Sequence, residues 1–509
     1  MNLNKIRQLL LSISIVFGIT FMFQYFFNIG NNVPPVALES GRSRLAPKKE
    51  EDQRPLNLEV NFCTDKSIEE NITTIQTDNA KFEFTNYGAA IKSSEFKHLT
   101  SKKHIFKKFE AQRKEDLGFL VAFEENTPFY YNLVDQSENS ELITLSYSVE
   151  FDNGVINKKY SVYKHEYKVD LNIDVKFNKV AKNPIRLRIL YPSPSLPEVK
   201  EDTIQGVCNE KNAVVKKTMN LLLQRYWEIP LIFGIEDKYF VHSMVNDLNK
   251  FTQRGYYKSV GIGKYSSILE SGPISSSSSF NLSFYLGPKQ SAAMDIVEPK
   301  LESILDYGYL APFSKLMLAV LVFFYTFFHN YGIAIILLTL LIKLVLLPFT
   351  LKGEQSMKKR TEFQKKLQYV QQKYKHDKEA LANARNELMR ENGFSDMIGC
   401  LPLLLQLPIG IALNRVLFNA IELYKAPFLW MSDLSAKDPY YILPILIGAG
   451  MIMHSSAGND PKQKFSAYAV ALVVTAFTAG LPAGLMLFIF MSIFSSVVQT
   501  KVYGMFKRS

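Results

Sequence analysis

Between Tyr331 and Thr350 the chain reads YGIAIILLTLLIKLVLLPFT, an apolar run broken by a single charge, Lys343. About 18 or more such residues are enough to cross a bilayer core as a helix. The run has company. Residues 9–27 (LLLSISIVFGITFMFQYFF) and most of 311–328, 398–421, 440–455, 465–479 and 481–500 are almost free of charge. The mean hydropathy of -0.02 conceals this, because the apolar residues are segregated. The pattern excludes a purely soluble enzyme and a disordered scaffold. It also excludes a β-barrel, whose spanning segments would be shorter and would alternate. It predicts a multi-span α-helical membrane protein.

Charge is segregated as well. The net charge is +11, yet residues 57–310 carry 31 Lys and Arg against 33 Asp and Glu. The excess therefore lies near the apolar runs, which argues against nucleic-acid binding and for membrane topology. Three cysteines occur, Cys63, Cys208 and Cys400. Cys63 and Cys208 can pair in an oxidising compartment or stay apart, because spacing alone does not fix their geometry. No CxxC or clustered His/Cys pattern points to a metal, and no cofactor is expected.

The first apolar run follows Lys5 and Arg7 and is longer than the core of a cleaved signal peptide, so residues 1–28 read as an uncleaved anchor. Residues 29–56, rich in Pro, Gly and charge, read as a flexible linker. From 57 to 300 the texture is that of strands. ELITLSYSVEF (141–151), KYSVYKHEYKVDLNIDVKF (159–177), PIRLRILY (184–191) and SFNLSFYLG (279–287) alternate apolar and polar residues, and SSSSS at 275–279 reads as a turn. This predicts a large all-β sandwich domain. No Ser/His/Asp or paired-carboxylate constellation stands out in it, and His104, His165 and His242 are scattered, so no enzyme activity is expected.

Residues 352–392 carry 11 Lys and Arg against 6 acids and should face the cytoplasm. With the N-terminus also inside and the β domain outside, only one of the adjacent runs 311–328 and 331–350 can be a crossing. The segment 301–330 is therefore read as an amphipathic helix lying in the outer interface, with Lys315 among the headgroups. Continuing the count gives six transmembrane helices with both termini in the cytoplasm and residues 29–310 outside.

Lys343 lies roughly 10 Å from the inner end of its span at 1.5 Å per residue. Either it snorkels to the interface, or it lines a wet cavity between helices. Thr339, Gln406, Asn414 and Ser492 are further polar residues inside spans. In 352–392, Phe363, Leu367, Val370 and Tyr374 recur at helical spacing among Lys358, Lys359, Arg360, Lys365, Lys366 and Lys373, with a break at His376-Asp377. This predicts a basic helical hairpin that either rests on itself and the headgroups or docks a partner. A secondary transporter or channel would also use a midplane cation, but no inverted repeat or paired acids accompany this one.

The stretch from Asp306 to Tyr503 resembles the YidC family of membrane-protein insertases. The residues that carry the likeness are DYGYL (306–310), NYGIAIILLTLLIKLVLLPFT (330–350), GCLPLLLQLPI (399–409), ELYKAPF (422–428), DLSAKDPYYILPIL (433–446) and LPAGL (481–485). The external region is a weaker match, carried by its position and YLGPK (285–289). The resemblance implies an inner-membrane protein with a five-helix insertase core at 331–509 and a periplasmic β-supersandwich. It implies a hydrophilic groove open to cytoplasm and lipid, in which the family's arginine is replaced by Lys343. The family's groove threonine, glutamine and serine correspond to Thr339, Gln406 and Ser492. An aromatic that meets substrate in some members is replaced by Ile489. Expected partners are nascent membrane proteins, membrane lipids, the Sec translocon and the ribosome. The tail KVYGMFKRS lacks the long basic extension that binds ribosomes in some members.

Overall fold

The computed structural model describes Phe62 and residues 69–506, with breaks of which the longer are 98–104, 195–203, 219–224, 393–400 and 455–460. The N-terminal anchor, the linker, Cys63 and Cys400 lie outside the described residues. The chain divides between Leu305 and Asp306 into two compact units.

In the first unit the described strands form three antiparallel sheets, of four, five and nine strands. The alternation that marks the strands in sequence is the alternation of their two faces. In Lys168–Phe177, Val169, Leu171, Ile173 and Val175 are buried while the polar residues between them are not. The run read at 159–177 is two strands, because the chain reverses between Gly154–Tyr163 and Lys168–Phe177, which then pair with each other. The serine stretch is only partly a turn, since Ser278 and Ser279 already belong to the long strand Ser278–Pro288. Rings fill the space inside: Phe119 meets Phe284 edge-on at 4.7 Å between centroids, and Phe84 lies 4.9 Å from Tyr160. Across three strands of the five-stranded sheet, buried Glu270 binds Arg188 Nε at 2.8 Å and Arg254 at 2.9 Å. Helix α1, Ser291–Val297, and a 3-10 turn at Pro299–Ile304 end this unit.

The second unit is helical: α2 Ala311–Phe328, α3 Tyr331–Lys373, α4 Lys378–Asn392, α5 Leu401–Asn419, α6 Ile442–His454, α7 Pro461–Thr478 and α8 Ala483–Phe506. Among the described helices, α2, the Tyr331–Leu351 part of α3 and the Ala483–Val502 part of α8 are long and apolar enough to cross a membrane. Ile442–Met453 and Ala467–Thr478 are apolar but shorter. Ser314, Met317, Leu321 and Tyr325 form the buried stripe of α2. Its other side carries exposed Phe313, Leu316, Phe323 and Phe327, so it presents apolar rather than polar groups outward. His329 in the left-handed region closes α2, and Asn330 caps α3 by accepting from the Ile333 amide.

The first arm of the basic hairpin is not a separate element. It continues α3 without interruption through Pro348 to Lys373. Proline removes one donor and crowds one carbonyl, and from Leu351 to Lys373 only Gly353 weakens the helix, by about 1 kcal/mol. The second arm is α4, and the break predicted at His376-Asp377 falls outside the described residues.

Candidate functional site

The helices of the second unit are packed unevenly along their length. At one end the connection from Ala420 to Tyr441 forms a cap. The Ala483 amide donates to the Ala436 carbonyl at 2.7 Å and the Gly484 amide to Leu434 at 2.8 Å, so the cap is stitched to the start of α8. Gly332, in the first turn of α3, lies so close to the Phe428 ring that an added Cβ would sit 2.1 Å from it. Asp438 orders the cap's far side. Its Oδ2 accepts from the Leu443 amide at 2.7 Å at the start of α6, and its Oδ1 accepts from Trp430 Nε1 at 3.0 Å. Helices α3 and α8 therefore leave the same cap in the same direction.

Next to the cap the packing is dense. Tyr331, Ala334, Ile335 and Leu338 of α3, Ala412, Leu413, Val416 and Leu417 of α5, and Ala483 to Phe488 of α8 share one core. Beyond Leu338 and Phe488 the core thins among the described residues, with Ile342, Leu346, Ile489, Phe490 and Ile493 only partly buried against it. From Leu340 to Leu351 no side chain of α3 is buried, and Leu344 is 66% exposed. On α8 between Ile489 and Val502 only Ser492 and Val497 are buried. Among the described residues, α3 and α8 are thus more deeply buried at the capped end than at the other.

The polar residues lie where the packing gives out. Thr339 is fully buried and donates back to the Ile335 carbonyl at 2.7 Å. One turn further, half-buried Lys343 donates from Nζ to Ser496 Oγ at 3.1 Å, across to α8. Ser496 in turn donates to the Ser492 carbonyl at 3.0 Å. Lower still, Gln499 Nε2 donates to Thr350 Oγ1 at 3.0 Å. At 1.5 Å per residue, Lys343 and Ser496 lie roughly 18 and 20 Å from the starts of their helices, so parallel helices bring them level. On α5, Asn414 is buried and its Oδ1 accepts no hydrogen bond among the described residues, which marks a polar spot in an apolar wall.

The structure thus brings Thr339, Lys343 and Ser492 to one α3–α8 seam. The Gln406 side chain lies outside the described residues, as do those of Lys358, Lys359, Arg360 and Lys365; Lys366 and Lys373 are exposed on α3. The sequence reading missed Ser496, Gln499 and Thr350. The signal was present, since Ser492, Ser496 and Gln499 stand at i, i+4 and i+7 and so share a helix face. Among the described residues no group of three or more His, Cys, Asp or Glu could hold a metal. In the β unit, His165 pairs with Asp78 at 2.9 Å on the surface, and His242 packs among Phe96 and Phe109, so the two do not converge.

Residues 323–508 match the family described as "60Kd inner membrane protein", and residues 232–320 match "YidC periplasmic domain". The membrane protein insertase YidC of Geobacter metallireducens is 31% identical over 360 residues, 68% of this chain and 66% of that protein. That of Wolinella succinogenes is 41% identical over 223 residues, 43% of this chain and 42% of that protein. The chain belongs to the YidC family. It spans just under two thirds of the length of the first relative and about two fifths of the second. A crystal structure described as "Active YidC insertase crystal structure with the first transmembrane domain resolved" is similar with a TM-score of 0.40 and 16% identity, over 85% of this chain and 93% of that chain. Both relatives carry the name of an insertase rather than of an enzyme. The family's inner-membrane setting agrees with the apolar helices, and its β-rich periplasmic domain with the three sheets.

Proposed function

We propose that this chain inserts newly made proteins into the inner membrane, alone or with the Sec translocon, by capturing their hydrophilic tails in a polar groove. The observation that supports this most is Lys343 held by Ser496 on the α3–α8 seam, just past Leu338 and Phe488, where the burial of α3 and α8 thins. A groove that ends blind under the capped end can take a polar segment partway across without opening a path through the membrane. There, Lys343 attracts an acidic tail far more strongly than it would in water. Thr339, Gln406 and Ser492 are the polar walls of this reading and lower the cost of the tail's partial crossing. The substrate's apolar helix then slides along the lipid-facing sides of 398–421 and 465–479, and its burial in lipid drives release.

In the same reading six helices span the membrane, both termini are cytoplasmic, and residues 29–310 lie in the periplasm, with 1–28 as anchor, 29–56 as linker and 57–300 as the β domain. The segment 301–330 lies along the outer interface, and the core is 331–509. The basic arms at 352–392, with Lys358, Lys359, Arg360, Lys365, Lys366 and Lys373, receive substrate, the ribosome and anionic lipid headgroups on the cytoplasmic side.

Complementation of an insertase-depleted bacterium tests the proposal, with insertion of a small single-span protein bearing an acidic external tail as the readout. Wild type and Lys343→Arg should rescue, while Lys343→Ala and Lys343→Glu should fail. Equal insertion by Lys343→Ala would reduce Lys343 to a snorkelling residue and leave the task to groove polarity alone.

A further inference from the structure

We propose that Ser496 is a positioning residue that holds the Lys343 ammonium against the α8 wall and thereby sets a preference for acidic substrate tails; this rests on the insertase reading above. The hydroxyl of Ser496 spends its proton on the Ser492 carbonyl at 3.0 Å, so its lone pairs are what Lys343 Nζ meets at 3.1 Å. An ammonium has three donors. Ser496 takes one of them, and the other two can bind a carboxylate in the groove.

The hold is needed because the cation is a lysine. Its four-carbon stem is flexible, and the inner interface is within its reach, so an untethered Lys343 would swing out of the groove toward headgroups and water. An arginine carries a planar fork of five donors and can bind wall and substrate together. The second bridge, Gln499 Nε2 to Thr350 Oγ1 at 3.0 Å, keeps the register in which Ser496 faces Lys343. The Thr350 hydroxyl proton is itself committed to the Leu347 carbonyl at 2.9 Å, leaving its oxygen to accept from Gln499. Two side-chain bridges of the same logic thus join α3 and α8 where apolar burial thins. In each, a hydroxyl tied to its own helix accepts from the facing helix.

The test uses the full chain in proteoliposomes and two probes: a single-span protein with a short tail carrying two aspartates, and the same protein with asparagines in their place. Ser496→Ala should lower insertion of the aspartate probe by roughly tenfold to a hundredfold, the scale of one hydrogen bond to a charged group. Insertion of the asparagine probe should stay at the wild-type rate. Ser496→Thr, which keeps the hydroxyl, should restore the aspartate probe. Ser496→Ala added to Lys343→Ala should change nothing further, because a residue acting through Lys343 has nothing left to act on. Equal losses on both probes, or losses that add to those of Lys343→Ala, would show a packing role and overturn the proposal. So would an unchanged Ser496→Ala. Wild type inserting neither probe would overturn the insertase reading itself.

Discussion

Lys158 Nζ donates to the Phe119 carbonyl at 2.7 Å, although Lys158 is fully buried and no carboxylate pairs with it among the described residues. The same ammonium donates to Gly88 at 2.7 Å and to Ala89 at 3.1 Å. Lys158 belongs to the nine-stranded sheet, Gly88 and Ala89 join two strands of the four-stranded sheet, and Phe119 leads into the five-stranded sheet. All three carbonyl residues have positive φ, at 67°, 43° and 69°. Left-handed backbone turns these carbonyls out of any ladder, and the lysine's three donors satisfy them. Tyr160 Oη also donates to the Ala89 carbonyl, at 2.6 Å. Lys158→Met should therefore destabilise the β unit by about 2–3 kcal/mol, through two orphaned acceptors, Gly88 and Phe119, rather than a lost ion pair. Urea unfolding of the full chain in detergent, followed by tyrosine fluorescence, checks this, and an unchanged midpoint would refute it.

Gly332 is expected to tolerate no side chain. A Cβ there would lie 2.1 Å from Phe428, and the ring has the cap behind it, so either α3 or the Ala420–Tyr441 connection must shift. Gly332→Ala should cost about 1–3 kcal/mol. It should also expose the capped end to added protease before the bundle unfolds. A protease pattern identical to that of wild type would sink the idea that the cap seals the bundle.

Glu422 sits in the cap between buried Ile421 and Leu423, and burial pushes its carboxyl up to about 6. The folded state therefore holds a proton that the unfolded state, near 4.5, has lost. Across that window stability falls as pH rises, and above about pH 6 it stays lower by about 2 kcal/mol. The thermal midpoint of the full chain in detergent should rise between pH 7 and pH 5. Glu422→Gln should be more stable than wild type at pH 7 and lose that part of the pH dependence. If the variant keeps the same slope, another group is responsible.

Much of the architecture was legible because it depends on patterns that run along the chain. Long apolar runs mark α3 and α8, and period-2 alternation marks Leu142–Phe151 and Lys168–Phe177, because lipid and a sheet core each demand one repeat. Lys158 shows where this fails. At an inward position between Ile156 and Tyr160 it reads as a break in the pattern, and only the three carbonyls brought from distant turns explain it. The hairpin boundary fails for a different reason. A change of composition after Thr350 looks like the end of an element, whereas the backbone needs only the absence of a breaker to continue to Lys373.

The site divides in the same way. Lys343 stood out in the sequence because a charge in an apolar run is costly and therefore noticeable. Ser496, Gln499 and Thr350 did not, because a hydroxyl or amide in a membrane helix can bond its own backbone and carries no such cost alone. The sequence by itself determined that this chain enters a membrane, carries a large β domain and places one cation inside a span, since local composition decides each of these. The tertiary structure alone decided that α3 and α8 are most deeply buried beside the cap, and that Ser496 meets Lys343. Those depend on which helices share a cap and leave it in parallel, and neighbours in sequence do not encode that.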